Sequence, residues 1–568
     1  MTRRRWELLA LLAIVMTGMG LRFWRLDGLA LVGDESYFWL WSRHLAACYM
    51  DHPGGVAWLI AVSTWLGGGS EFGVRWLNAL LGTANIVLVY GLARRLAAPV
   101  GPAPAGAGGA AAVMPVRGLA GPDLRAKGLK PRTGTAGPGR GIWPPGMSGQ
   151  APVALAAAMI LAVAPPYVLN SRFVYTDTLP TFLLLASFNL LWPALTSPTA
   201  RPAPIRRWLA IGILWLLLVN TKISVYPAFL GLAIGGLLWR RDLRHQPGVW
   251  LAGGLAALGL LPLLVWNGTH DWIGLRWIWQ QFTLGTIRES GFLSTAHHVV
   301  AYFTLPAIVL IAPGYLPGWR EPARRGAGWL LLPSLLMVLP VLLSPANSPR
   351  NLLVGLALAI PLAAAWWVNL AAWHPLASGL ARMGGWRPPT FAIVTLAALV
   401  CGVGTVAALL GESPLASSSV AYAVREDAAG WRELGPRLSS AQGMLFTVDY
   451  SVASQLTYYA GRPVYTAWPQ YLLWGLPEFD EVQVLSLSYV PPDRVDAVLR
   501  RAFDEVRGPQ LETLRENGAA KEMRSWRAVG LRVERGDLVE ALDFFALGRS
   551  RPGELPARLA VPASRSEE

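Results

Sequence analysis

Asp34 and Glu35 stand side by side in Gly33-Asp34-Glu35-Ser36-Tyr37, just after the first hydrophobic run of the chain. Tyr49-Met50-Asp51-His52-Pro53 adds a third carboxylate and an imidazole to the same segment. Such groups take a proton from a hydroxyl or amine when held within hydrogen-bond reach of it. An unpaired charge beside a bilayer is costly, so acids gathered there have a task. The cluster reads as the reacting end of an enzyme working at a membrane surface.

The rest of the chain supplies the membrane. Of its 568 residues, 53% are hydrophobic and only 15% are charged, against about 25% charged in soluble proteins. The net charge of +15 does not point to nucleic acid, because the Lys and Arg lie mostly in short loops between apolar runs. Two cysteines, Cys48 and Cys401, exclude a disulfide framework and leave a cysteine zinc site unsupported. Runs long enough to cross about 30 Å of hydrocarbon fall near 7–22, 72–93, 151–167, 178–195, 208–222, 223–239, 248–266, 298–317, 328–344, 352–371 and 389–411. Asn220-Thr221-Lys222 reads as a break between the fifth and sixth. Arg3, Arg4 and Arg5 precede the first run, and no small-residue cleavage site follows, so it reads as an uncleaved span.

With a cytoplasmic N-terminus, Arg94/Arg95, Arg206/Arg207, Arg240/Arg241/Arg244, Arg320/Arg324/Arg325 and Arg382/Arg387 all fall inside. Arg172, Lys222 and Arg350 fall outside, in keeping with the positive-inside rule. The expected fold is a polytopic α-helical membrane protein of about eleven spans over 1–411. An odd number of spans leaves a small α/β domain, 412–549, outside the cytoplasm. In that domain 443–448, 463–465, 482–489 and 528–533 read as strands, and 451–460 and 492–506 as helices. Gly-, Pro- and Ala-rich residues 98–150 read as a disordered cytoplasmic insertion, and 550–568 as a disordered tail.

On this map Asp27, Asp34, Glu35, Asp51, Glu71, Asp177, Asp271 and Glu289 all sit on the outer face, and none lies mid-span. Ion-coupled transporters bury carboxylates near the midplane, so this pattern disfavours the alternative reading, a transporter or flippase of lipid-linked glycans. A scaffold whose outer domain binds a partner is another, and it has no need of Asp34. The first outer loop carries Tyr37, Phe38, Trp39 and Trp41, then Trp58 and Trp65. These suit interfacial helices with Trp at headgroup depth.

These residues resemble a known family. Asp34-Glu35-Ser36-Tyr37-Phe38-Trp39-Leu40-Trp41, followed by Tyr49-Met50-Asp51-His52-Pro53, is similar to the first-loop signature of bacterial GT-C glycosyltransferases. The nearest groups are the protein O-mannosyltransferase and aminoarabinose transferase superfamily, including the rhizobial lipid A galacturonosyltransferase type. Asn170–Asp177 resembles the second outer loop, Pro262–Asn267 with Asp271-Trp272 a fourth-loop pattern, and Tyr450–Tyr459 with Pro463-Val464-Tyr465 the extracytoplasmic domain. One departure is Gly54, where a second Pro often follows Asp-His-Pro. The resemblance implies transfer of a sugar from a polyprenyl phosphate to a glycolipid, polysaccharide or protein on the outer face of a bacterial cytoplasmic membrane.

Such a transfer needs a base, a cation for the departing phosphate and a greasy groove for the lipid. Asp34 is the candidate base, with an N-cap of the following helix as its structural alternative. Glu35 is placed beside it in the catalytic pair, to orient the loop or the acceptor. Asp51 and Asp177 are candidates for binding acceptor, sugar or a divalent metal, and His52 for phosphate or a structural hydrogen bond. Lys222 and Arg350 are the leading phosphate cations, with snorkelling as the competing role, and Arg172 and Arg288 follow. No cofactor is required, and no Asp-x-Asp or phosphate-cradling Gly-rich motif suggests a nucleotide donor.

Overall fold

The computed structural model describes residues 2–98, 150–196, 203–284, 299–316, 323–343, 348–369, 387–413, 419–487 and 490–542. The insertion and tail expected at 98–150 and 550–568 lie outside these residues, Ala98 and Gln150 apart, as do Arg288 and Glu289.

Apolar composition makes most of the chain helical. Among the described residues six helices are long and apolar enough to cross a membrane: Arg4–Phe23, Glu71–Leu96, Thr178–Thr196, Pro247–Thr269, Pro349–Val368 and Thr390–Leu409. Gln150–Val163 and Pro165–Arg172 make a seventh if the pair is one span bent by 57°. The bend falls where Pro165 and Pro166 open the second helix, since proline suits a first turn but cannot continue an interior. Three of the segments expected as spans, within 223–239, 305–315 and 326–342, form helices of 10–17 residues. The chain is a multi-pass membrane protein, and the count of eleven drawn from composition is coarser than its geometry.

The helix Gln150–Val163 lies at the centre. Its Ala154, Ala156, Ala157 and Ala158 are wholly buried among Ile86, Val89, Leu184, Phe188, Leu358 and Ile360. Small side chains let membrane helices approach closely, and dispersion contacts then hold them. A second feature positions chemistry. Helix Ile205–Val219 stops at Asn220, whose side chain donates to the carbonyls of Leu216 (2.8 Å) and Gly259 (2.9 Å). The Asn220 carbonyl accepts from Gly55 N–H at 2.8 Å. A Cβ on Gly55 would stand 2.6 Å from that oxygen, so the approach requires glycine. The break delivers Lys222.

The C-terminal sheet domain has five strands in the order β2-β1-β3-β5-β4. β1 (Met444–Thr447) pairs in parallel with β2 (Val464–Tyr465) and β3 (Glu481–Leu487). β5 (Ala519–Leu531) is antiparallel to β3 and to β4 (Phe503–Glu516). The helix expected over 492–506 ends at Ala502, and the chain continues as β4. Its alternating charged residues look helical in isolation, and only pairing with β5 makes them a strand.

Helix Tyr450–Ala460 connects β1 to β2 and packs on the first-loop helix Gly33–Arg43. Tyr37, Phe38 and Trp41 are therefore buried, in one core with Trp431, Val452, Leu456 and Tyr471. This corrects the interfacial reading of that helix: its aromatics face the sheet domain. Trp65, in helix Gly55–Gly67, is 81% exposed and keeps the character expected of a membrane-facing residue.

Candidate functional site

The first-loop helix has no N-cap side chain to accept from its first turn, and Glu35 reaches back to the Val32 N–H alone. Val32 at the N-cap carries no acceptor, and Asp34 sits inside the first turn. The capping alternative for Asp34 is thus removed, and its carboxylate points elsewhere. Asp34 Oδ2 lies 2.7 Å from Arg350 Nη1, and Oδ1 accepts from the Tyr450 hydroxyl at 3.1 Å. Burial alone raises the Asp34 carboxyl, but the Arg350 guanidinium and the Tyr450 hydroxyl outweigh it and hold the group below its ordinary value. The Asp34 charge, and then burial, push the Tyr450 phenol up, so it remains a donor.

Each partner comes from an element end. Arg350 lies in the short turn Pro349–Leu352 that opens helix Leu353–Asn369. Tyr450 follows the C-terminal end of a parallel strand, the place where α/β sheets present functional groups. The Arg350 guanidinium also stacks 4.9 Å from the centre of the Tyr175 ring.

Asp177 and Lys222 form a second pair, Nζ to Oδ1 at 2.5 Å. It is close enough for Lys222 to feel both Arg350 and Asp34. The two pairs differ in access. The side chains of Asp34 and Arg350 are 27% and 26% exposed, those of Asp177 and Lys222 0% and 7%. Asp177 Oδ2 is buried without a hydrogen-bond partner among the described residues.

Glu35, next in sequence to Asp34, faces away from this group. Arg75 grips it with Nε to Oε1 at 2.8 Å and Nη2 to Oε2 at 2.5 Å. Val174 N–H donates to Oε1 at 3.1 Å and Val32 N–H to Oε2 at 3.4 Å. Arg75 spends its other donors on the carbonyls of Leu26, Leu29 and Ala30. Glu35 is fully buried with both oxygens engaged, so it ties three segments together and has no open lone pair for chemistry. Arg172 is likewise occupied: it donates to the carbonyls of Leu21, Arg22, Trp24 and Arg25 and staples the end of the first helix. That use replaces the phosphate role considered for it.

Asp51 and His52 lie within electrostatic range of Tyr450 and Asp34 respectively. His52 Nδ1 is 3.9 Å from Asp51 Oδ2, and among the described residues both His52 Nδ1 and Asp51 Oδ1 are buried without hydrogen-bond partners. Two polar groups short of hydrogen bonds beside a reactive carboxylate suit a polyhydroxyl ligand. Among the described residues no three His, Cys, Asp or Glu side chains converge to hold a metal ion.

Two apolar cavities lie among the neighbouring elements, and neither is lined by Asp34, Arg350, Asp177 or Lys222. One of about 590 Å³ runs from Val219, Tyr226 and Leu260, beside the Lys222 break, to Arg240, Arg241 and Arg244. Another of about 330 Å³ is lined by Leu169, Phe173, Tyr175, Tyr302, Leu409 and Val424. Tyr175 separates that cavity from Arg350.

Sequence reasoning missed Arg75, Tyr175 and Tyr450 as partners.

Comparisons agree with this architecture. Residues 51–119 match the family described as dolichyl-phosphate-mannose-protein mannosyltransferase. No curated protein gives a significant match. The structure is similar to that of ArnT from Cupriavidus metallidurans bound to undecaprenyl phosphate, with TM-score 0.55 and 16% identity, over 92% of this chain and 98% of that one. A looser likeness, TM-score 0.44 and 11% identity, joins 81% of the chain to 64% of the archaeal oligosaccharyltransferase AglB from Archaeoglobus fulgidus. The chain has the fold of the GT-C glycosyltransferase superfamily.

Proposed function

We propose that this protein is a membrane glycosyltransferase that moves a sugar from a polyprenyl-phosphate carrier to an acceptor on the outer face of the cytoplasmic membrane. In this reading the N-terminus is cytoplasmic and the sheet domain lies outside. The observation that carries it is the half-open pair of Asp34 and Arg350, 2.7 Å apart, with Arg350 stacked on Tyr175, a wall of one apolar cavity. The relative of known structure was captured with undecaprenyl phosphate, which supports a lipid phosphate as the donor's leaving group.

The chemistry follows from the charges. In the unliganded site Arg350 neutralises Asp34. A donor phosphodiester, whose two non-bridging oxygens also suit a bidentate guanidinium, competes for Arg350. Asp34, freed from Arg350 and still held by Tyr450, then accepts the proton of the acceptor hydroxyl or amine. The acceptor atom bonds to the sugar C1 as the C1–O bond to phosphate breaks. The bonding pair leaves with the phosphate oxygen, and Arg350 stabilises the added charge. Arg350 is the nearer cation for this task, because Lys222 is buried on Asp177. Asp51 and His52 are assigned to the sugar or the acceptor. No metal takes part in this scheme.

The larger cavity is assigned to the donor's isoprenoid tail. A donor has one tail, so the second cavity at Tyr175 favours an acceptor that is itself a lipid. A polysaccharide or protein acceptor leaves that cavity unused.

The test is release of undecaprenyl phosphate by the purified protein, given a panel of undecaprenyl-phosphate hexoses and pentoses with envelope glycolipids as acceptors. We expect turnover with one donor, lost at least about 10³-fold in Asp34→Asn, whose neutral amide cannot take the proton. Undiminished turnover in a folded Asp34→Asn protein removes the assigned base. Movement of the lipid without sugar transfer would instead support the flippase alternative.

A further inference from the structure

The first-loop helix begins Val32-Gly33-Asp34, with no Ser, Thr, Asn or Asp at the cap position. Its first N–H must find an acceptor elsewhere or remain unpaired. The acceptor comes from 394 residues away: Asp427 Oδ2 accepts from Gly33 N–H at 2.7 Å. Asp427 lies in the sheet-domain helix Ser419–Ala428. We infer that Asp427 is a positioning residue for transfer: from the sheet domain it supplies the acceptor for Gly33 N–H at the start of helix Gly33–Arg43 and so fixes Asp34, one residue on, against Arg350.

Several contacts make this a built joint. Gln455 Nε2 donates to the Leu31 carbonyl (3.0 Å), to the Asp427 carbonyl (3.0 Å) and to Asp427 Oδ1 (3.3 Å). Lys521 Nζ donates to the Asp427 carbonyl at 2.8 Å and stands 3.5 Å over the Trp431 ring. Leu31 N–H donates to the Tyr459 hydroxyl at 2.8 Å, and the Ser36 and Ser454 hydroxyls meet at 2.9 Å. Gly33 permits the approach: a Cβ there would fall 2.6 Å from Ser451 Cβ. The side chain of Asp427 touches the helix start and Gln455, with no contact to Arg350 or Tyr450. Its charge is also within electrostatic range of Asp34, so the asparagine variant, which keeps an acceptor and removes the charge, separates placement of Asp34 from a direct charge effect.

The inference rests on the assignment of Asp34 as base, but it can be tested without substrate. In the full-length protein, amide hydrogen exchange is followed in peptides covering 31–39 and, as a reference, 481–487. Asp427→Ala removes the acceptor, whereas Asp427→Asn keeps a carbonyl oxygen for Gly33 N–H. We expect exchange over 31–39 to rise about fivefold to tenfold in the alanine variant, the size of a lost cap, and to stay near wild type in the asparagine variant. Turnover should follow the same order: kcat falls about tenfold or more in Asp427→Ala with donor KM nearly unchanged, and is largely retained in Asp427→Asn. If Asp427→Ala loosens the whole domain, including 481–487, the asparagine variant decides. Asparagine that fails to restore exchange and kcat overturns the inference, as does unchanged exchange over 31–39 in the alanine variant. Failure of the transferase reading is seen separately, as retained turnover in Asp34→Asn.

Discussion

Asp34 and Glu35 are neighbours in the chain, and each meets an arginine, yet the two pairs are built for opposite ends. Glu35 and Arg75 are sealed, with both carboxylate oxygens occupied and the guanidinium spread over three backbone carbonyls. Asp34 and Arg350 are each about one quarter exposed, and among the described residues Asp34 is held by Arg350 and Tyr450. A saturated buried pair holds chain segments together. A half-open pair can exchange partners, and that exchange is what a phosphate and a nucleophile demand. Adjacent side chains on a helix point about 100° apart, so one turn can carry both.

The comparison predicts its strongest contrast in stability. Glu35→Ala leaves Arg75 buried without its counter-charge, which costs about 3–5 kcal/mol. We expect a large fall in the melting temperature of the detergent-purified protein, or loss of folded material. Asp34→Asn should melt near wild type. If Glu35→Ala is stable and Asp34→Asn is not, the roles drawn here are reversed.

Half of this contrast could be read from the chain. The acids after the first span, the breaks at Asn220 and the apolar runs all carry local signatures. The strand Met444–Thr447 and the helix after it did as well. What divides Asp34 from Glu35 did not, because each partner is remote: Arg75 lies 40 residues away, Arg350 more than 300, and Tyr450 416. Arg75 looks like the charged lead of a membrane span, and nothing in its surroundings names Glu35. Phe503–Glu516 was hidden for a related reason. An edge strand with charges on both faces gives little periodicity, so Val506 read as helix until β5 was seen beside it.

Arg350→Ala sharpens the open side of the comparison. It removes the cation proposed for the leaving phosphate, and we expect kcat to fall about 10²–10³-fold, as for loss of a charge-stabilising donor. Stability should change less than in Glu35→Ala, because the exposed Asp34 can be hydrated. Lys222→Ala strands the buried Asp177, so its effect should show in stability as well as in donor use. An Arg350→Ala enzyme with wild-type kcat would leave the phosphate without its assigned partner.

The cavity assigned to the isoprenoid tail is tested by filling it. Gly236 lines the larger cavity, and a side chain there meets open space. Gly236→Trp should fold, and it should raise donor KM about tenfold with kcat little changed, as expected when binding common to ground and transition states is lost. An unchanged donor KM moves the isoprenoid tail to another groove.

The smallest effect belongs to Tyr450, and it has a definite sign. Its hydroxyl favours the ionised form of Asp34, adding to Arg350 against the opposing pull of burial. A carboxyl held below its ordinary value stays ionised above that depressed value and is lost as base only when the pH falls through it. The same linkage makes its contribution to stability present above the unfolded value, about 3.9, and lost as the pH falls through the folded one. Tyr450→Phe deletes one hydrogen bond to the charged form while keeping the ring packed against Tyr37 and Trp468. The acid limb of kcat/KM should therefore move up, by about half to one pH unit for a bond worth about 1 kcal/mol. Arg350, the larger charge on Asp34, should move the limb further when removed, if residual turnover permits the measurement. A limb that stays in place in Tyr450→Phe means that the hydroxyl leaves Asp34 before the proton is transferred, and that the open pair is looser in the working enzyme than at rest.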